Sequence, residues 1–310
     1  VPKFEFYNPI LKDLIVNKNE DIINKLIERQ KDNYLSPSLI LDYLECSLRF
    51  YFNYIEGIKE KIDISDILNS LNIGNITHKV MYDIYQPYTN KTINNDMLEN
   101  IYTQADELVK KHIKRLAIDY GDKTSTNNDG RFILLEKIVG KYVSFYKTFD
   151  KKVIPFTIKN LEYTVKSIID IDNNYIKHIN IGGRIDRIHE ENNNIIIVDY
   201  KTGFNINLNF VFPDDALNTT KKEAVQSYIY SVIYADQSSH DDDIFIKIYN
   251  IRRRNMAEKN TLIACKNDRK RMKEILASKI REIYDIKIPF EPTKNKSHCR
   301  YCPYNKICHK

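Results

Sequence analysis

The chain has 310 residues, 42% of them hydrophobic, and a formal net charge of +6. That length and apolar content suffice for a sizeable core in one large domain or two smaller ones. The longest apolar runs, such as Ile195 to Val198, fall far short of the roughly 20 residues of a membrane-spanning helix, and no signal-peptide pattern opens the chain, so a soluble cytoplasmic protein is expected. The mild basic excess admits a polyanionic partner without demonstrating one.

Taken in order, residues 1–33 are polar and charged and begin at Val1, which suggests a linker or the remnant of a preceding domain in a longer parent. Ser36 and Pro37 then read as an N-cap and a first helical position, and Leu39, Ile40, Tyr43, Leu44 and Leu48 recur at helical spacing. This helix carries Cys46. Further helical patterns cover about 74–88, 95–118 and 130–149, so residues 34–150 form an α-rich part, with "GDKTSTNNDG" at 121–130 as a loop. The aromatics of "RFYFNY" at 49–54 are expected to pack the core.

From about residue 155 the period shortens. "FTIKNLEYTVKSIIDI", "YIKHINIGGRIDRIHE" and "NIIIVDYKTG" predict a three-strand meander joined by the turns "DNN" and "NNN". A helix with Gln226 and Tyr230 follows, then the strand "DIFIKIYNI", a helix over about 266–285 and a cysteine-rich tail at 291–310. The order α, β, β, β, α, β over 151–290 predicts an α/β core with a mixed sheet flanked by helices.

The hairpin "GGRIDRIHEENNNIIIVDYKTG" at 182–203 concentrates the chemistry. With Asn192 and Asn193 at the centre of a two-residue turn, where asparagine tolerates positive φ, Glu191 pairs with Asn194. Counting back along the ladder sets Asp186 opposite Asp199, their side chains roughly 5 Å apart, with Lys201 on the same face. Two opposed carboxylates destabilise a strand pair unless a cation neutralises them, and Lys201 offsets only part of the repulsion. Mg²⁺ or Mn²⁺ would complete the balance and suit phosphodiester hydrolysis. An isolated D…D-x-K pattern is more often a solvated hairpin, but the apolar run before Asp199 is that of a central strand covered on both faces.

Cys299, Cys302 and Cys308 follow C-x₂-C-x₅-C spacing, and Cys46 lies more than 250 residues upstream. In a reducing compartment clustered thiols point to metal rather than disulfides, and spacing leaves zinc, with His298, His309 or Cys46 as a further ligand, open beside an iron–sulfur cluster. Cys265 lies outside the pattern. The basic runs 251–255 and 266–273, with Lys221 and Lys222, could contact phosphates without reading sequence.

Together "GRIDRI…IIIVDYKTG", "QSYIY" and "CRYCPYNKIC" resemble the RecB-family nucleases of the PD-(D/E)XK superfamily, most closely the C-terminal nuclease domain of AddB-type subunits of helicase-nucleases. The resemblance spans roughly residues 34–310 and implies the restriction-endonuclease-like fold. It implies that Asp186 and Asp199 are metal ligands together with His78 and the backbone carbonyl of Tyr200. Lys201 would be the catalytic lysine, and Gln226 and Tyr230 would stand beside it. Glu162 falls at a frequently acidic position. The four cysteines, Cys46, Cys299, Cys302 and Cys308, match those that hold a structural 4Fe-4S cluster in these relatives. The implied activity is cleavage of single-stranded DNA or DNA ends, fed by a helicase partner, in recombinational repair. No G-x-x-x-x-G-K-[ST] loop occurs here, so any motor lies elsewhere. The alternatives are a catalytically silent domain of the same fold that binds DNA or scaffolds a partner, and a zinc-dependent interaction module.

Overall fold

In the computed structural model, which describes residues 14–58, 68–119, 129–203, 206–207, 209–251, 261–300 and 302–308, the short period beyond residue 155 becomes a sheet. Its strands are β1 (Thr92–Ile93), β2 (Phe156–Asp170), β3 (His178–Glu191), β4 (Asn194–Lys201), β5 (Ile244–Asn250) and β6 (Thr261–Ala264). They lie in sequential order. All neighbours are antiparallel except β4 and β5, which run parallel. A parallel pair needs a long crossover, and α8 (Lys222–Ser238) supplies it. The β3–β4 turn forms as its asparagines predict: Asn192 and Asn193 have φ of 50° and 63°, and Glu191 pairs with Asn194. β1 and β6 are too short to show a period and were not expected.

The helices are α1 (Glu20–Asp32), α2 (Pro37–Glu45), α3 (Ser47–Phe50), α4 (Ser70–Tyr85), α5 (Asn95–Ile101), α6 (Ala105–Asp119), α7 (Gly130–Asp150), α9 (Lys266–Tyr284) and α10 (Lys296–Cys299). α2 starts where predicted, with the Ser36 hydroxyl accepting the Leu39 N–H at 3.2 Å. The pattern over 95–118 is two helices, because a 3₁₀ turn at Tyr102–Gln104 separates α5 from α6. α1 lies inside the segment read as a linker. Asn19 caps it, and Ile22, Ile23 and Leu26 are buried with Ile27 packed beside them, one apolar stripe in an otherwise polar sequence. The aromatics after Arg49 pack inward as expected, with Phe50, Phe52 and Tyr54 buried. The loop predicted at 121–130 lies almost wholly outside the described residues.

Two apolar clusters cover the two faces of the sheet. α1, α2, α8 and α9 build one; α4 to α7 build the other. β4 feeds both, Ile197 into the first and Ile196 and Val198 into the second, so it is the doubly covered central strand its composition predicted. Each such fully buried side chain contributes about 1.5–3 kcal/mol of hydrophobic stabilisation. No helix among the described residues is long and apolar enough to cross a membrane.

Candidate active site

β4 carries Asp199, Tyr200 and Lys201 out of the core at its C-terminal end. Toward β5 its pairing continues to Lys201 with Asn250, whereas toward β3 it stops at Arg187 with Val198. Asp186 stands one residue beyond that last pair. Instead of continuing a regular ladder opposite Asp199, its Oδ2 accepts the Tyr200 N–H at 2.8 Å. The carboxylate thus takes the place of the next backbone acceptor. Ile185 and Ile188, three residues apart, pack into the same cluster, so strict alternation is interrupted between them. Across from Asp186, between the Leu161–Arg187 and Tyr163–Ile185 pairs, Glu162 sits at φ 45°. A glutamate held in the left-handed region stores backbone strain, and here the kink aims its carboxylate at the same point as Asp186.

α4 brings His78 over this corner. Its Nε2 lies 3.1 Å from the Tyr200 carbonyl oxygen, and its Nδ1 lies 3.2 Å from Asp186 Oδ1 and 3.8 Å from Glu162 Oε1. The other Glu162 oxygen is held by Arg184 at 2.7 Å. Lys201 Nζ pairs with Asp199 Oδ2 at 3.0 Å. From α8 the Gln226 amide donates to the Tyr230 hydroxyl at 3.4 Å. Gly183 makes room for that tyrosine, since a Cβ there would lie 2.5 Å from Tyr230 Cε1. These side chains line one open cleft of about 890 Å³, whose far wall includes Lys79, Tyr82 and His112.

Burial and charge push the two aspartates apart. Burial, joined by the charge of Asp186, lifts the Asp199 carboxyl to about 6 against the pull of Lys201. Burial also works against ionised Asp186, but His78 outweighs it and holds that carboxyl low. For His78 burial opposes the charge, yet Asp186 and then Glu162 raise it to about 10. Burial likewise opposes the Lys201 charge, and Asp199 and Asp186 overcome it. The cleft thus sets acidic oxygens around His78 and Lys201, with the two His78 ring nitrogens facing the oxygens of Asp186 and Tyr200. One nitrogen and two carboxylate oxygens, from His78, Glu162 and Asp186, fall within 4.8 Å of one another. This mixed N/O donor set fits a hard divalent cation.

The second gathering of chemistry lies at the C-terminal end of α2, where Cys46 is the cap. Cys46, Cys299, Cys302 and Cys308 line one small pocket with His298 and Arg49. None of the four is in a disulfide. The chain's two ends are already joined here, the Leu48 N–H donating to the Glu291 carbonyl at 3.1 Å and Tyr304 to the Ile58 carbonyl at 2.5 Å. Cys265, outside the pattern, precedes α9 at its N-cap. His309 lies outside the described residues.

A family model described as the PD-(D/E)XK nuclease superfamily matches residues 34–309. The chain belongs to the PD-(D/E)XK nuclease superfamily. Nucleases of this superfamily usually use a divalent metal, and the His78, Glu162 and Asp186 group is of the kind that could hold one. No curated protein matches the chain. Among solved structures, a Eubacterium rectale protein described as a candidate exonuclease is 12% identical over 92% of each chain, with a TM-score of 0.44. SSO0001 is 12% identical over 63% of this chain and 79% of its own, with a TM-score of 0.30. Both overlaps are too loose to add to the family model.

Within this nuclease fold one arginine of the basic runs is turned inward, and several of their lysines are paired with carboxylates at the surface. Arg269 is buried and donates to four backbone carbonyls. Lys266 pairs with Asp241, and Lys273 with Asp236. Lys221 pairs with Asp215, while Lys222 borders a smaller cavity next to Lys201. The run at 252–255 lies outside the described residues. Sequence reasoning missed Arg184, which fixes Glu162, and Arg187 with Asp150, wholly buried behind the site. A charged residue gives no sequence signal of burial.

Proposed function

We propose that the chain is a Mg²⁺- or Mn²⁺-dependent deoxyribonuclease, the RecB-like, AddB-type nuclease domain of a cytoplasmic helicase-nuclease, with its domain running over 34–310. It would cut single-stranded DNA or DNA ends during recombinational repair. One observation carries this reading: three carboxylates, a histidine and a lysine from four different elements converge in a single open cleft. His78, Asp186, Asp199 and the Tyr200 carbonyl would hold the metal, with Glu162 beside them. When bound, the ion polarises the scissile phosphate and lowers the pKa of an attacking water.

The chain's own groups do the rest. Lys201 Nζ, held charged between two aspartates, stabilises negative charge developing on the phosphate and orients the water. Gln226 and Tyr230 present amide and hydroxyl hydrogens on the α8 wall, where they support Lys201 and the strand. Cys46, Cys299, Cys302 and Cys308 would carry a structural 4Fe-4S cluster that clasps the two ends of the domain. Iron and sulfide analysis of anaerobically purified protein tests that part, and zinc without iron would overturn it. For the activity, cleavage of single-stranded DNA with Mg²⁺ or Mn²⁺ is compared among wild type, Asp199→Ala and Lys201→Ala. Equal rates in all three would sink the reading.

A further inference from the structure

Behind the cleft, on the face of the sheet covered by α4 to α7, lies a charged pair that contacts no solvent. Arg187 and Asp150 are both 0% exposed and 2.7 Å apart. The Arg187 guanidinium sits 5.2–5.6 Å from the ring centroids of Tyr85, Phe156, Tyr200 and Tyr249. Its Nη2 reaches Asp150 and Tyr249, while Nε and Nη1 find no hydrogen-bond acceptor and face aromatic rings instead. The hydroxyls of Tyr85 and Tyr102 close the other Asp150 oxygen at 2.5 and 3.2 Å.

Burying two charges is costly, and a well-packed apolar replacement of such a pair is often as stable or more so. Stability alone is therefore a poor explanation of this box. What distinguishes it is the set of elements it joins. Arg187 follows Asp186 directly on β3. Tyr200, stacked on the guanidinium, lies between Asp199 and Lys201 on β4, and its own N–H and carbonyl meet Asp186 and His78. Tyr85 belongs to α4, the helix that carries His78. Tyr249 is the β5 neighbour of Tyr200. Every element that brings a donor into the cleft corner thus reaches the same guanidinium from behind, β2 doing so through Phe156.

We propose that Arg187, with Asp150 and its aromatic box, is a positioning residue that fixes α4, β3 and β4 relative to one another and thereby sets the spacing of the cleft's metal-binding groups. The inference rests on the metal-dependent reading above. A planar, delocalised cation suits the task because it stacks on several rings at once while pairing in its own plane.

The test measures equilibrium Mn²⁺ binding by electron paramagnetic resonance, the thermal midpoint, and kcat and KM on single-stranded DNA. The proteins are wild type, Arg187→Met/Asp150→Leu and Arg187→Lys. The expected result is a double variant that unfolds within a few degrees of wild type, yet binds Mn²⁺ at least tenfold more weakly. Its kcat would fall at least tenfold with KM nearly unchanged. Arg187→Lys keeps the charge but loses the planar stack, so its Mn²⁺ affinity would fall between the two. A folded double variant with wild-type Mn²⁺ affinity and kcat would overturn the inference. Should the double variant not fold, wild-type Mn²⁺ affinity in Arg187→Lys would overturn it equally. A wild type that neither binds Mn²⁺ nor cleaves DNA would instead bring down the nuclease reading, so the two failures are distinct.

Discussion

The cleft and the cysteine pocket both gather residues from distant parts of the chain, but the fold supports them differently. In the cleft each side chain is rooted in a long element: α4, β2, β3, β4 and α8. Paired strands and two apolar clusters fix these elements, so the corner keeps its shape through its scaffold. The cysteine pocket leans on one of those clusters, against which Cys46, Cys302 and Cys308 pack, but no strand carries its residues. Its three C-terminal thiols sit on a four-residue helix and the turns after it, joined to Cys46 by a few hydrogen bonds across about 245 residues. A site built on a sheet can lose a ligand and remain in place, whereas one built on turns would depend more on a bound group such as the cluster proposed above.

The largest effect should come from the cleft and touch chemistry alone. Asp199→Ala and Lys201→Ala are expected to lower kcat by about 10³-fold. Asp199→Ala should unfold no earlier than wild type in a thermal scan, because it removes a buried carboxylate that Asp186 repels. A clear loss of stability in that variant would erase the contrast between the two sites.

The cysteine end should behave in the opposite way. Cys299→Ser or Cys302→Ser is expected to lower the thermal midpoint by roughly 5–10 °C, since whatever binds only the folded state stabilises it. The kcat per folded molecule should stay within about twofold of wild type. Limited proteolysis should then cut first near the tail. A variant with normal stability and lost cleavage would mean that the pocket takes part in the reaction.

The scaffold itself can be tested with pH. His189 on β3 is fully buried, and burial pushes its imidazole down to about 4 despite the Glu191 carboxylate 3.5 Å away. A depressed histidine binds its proton more readily unfolded. The stability that comes from keeping it neutral is therefore complete above its unfolded value near 6.5 and is lost as pH falls from there toward 4. The loss should amount to about 3 kcal/mol. Chemical denaturation of wild type and His189→Leu across that window checks this, and the variant should show the shallower slope.

The smallest effect is expected at Gly183. Alanine there would press on the Tyr230 ring, and kcat should fall about tenfold, or roughly 1.4 kcal/mol, with little change in the thermal midpoint. Pairing Gly183→Ala with Tyr230→Ala should remove most of that penalty on kcat relative to Tyr230→Ala alone.

The parts of this architecture that were legible in the sequence have local causes. The Asn192–Asn193 turn set the β3–β4 register because few residues accept positive φ, and Ser36–Pro37 marked the start of α2. The apolar run before Asp199 announced a central strand. Cys46 is different: nothing in its spacing tied it to a tail more than 250 residues away, and only the family resemblance did. α1 was hidden because a helix that buries one stripe can be polar elsewhere. The departure of Asp186 from the ladder and the positive φ of Glu162 depend on how two strands curl against each other, which no single stretch encodes. The burial of Arg187 was invisible for the same reason, since its aromatic box comes from four separate elements.

Tyr200 leaves one last consequence. Its main chain belongs to the wet side of the sheet, giving its N–H to Asp186 and its carbonyl to His78, while its ring is buried on the dry side against Arg187 and Tyr146. One residue is thus a hinge pin between two compartments that share no solvent. Any shift of the ring must pass through a single Cα into two of the contacts that shape the cleft. The interior can therefore tune the reactive corner without any mutation ever reaching the surface.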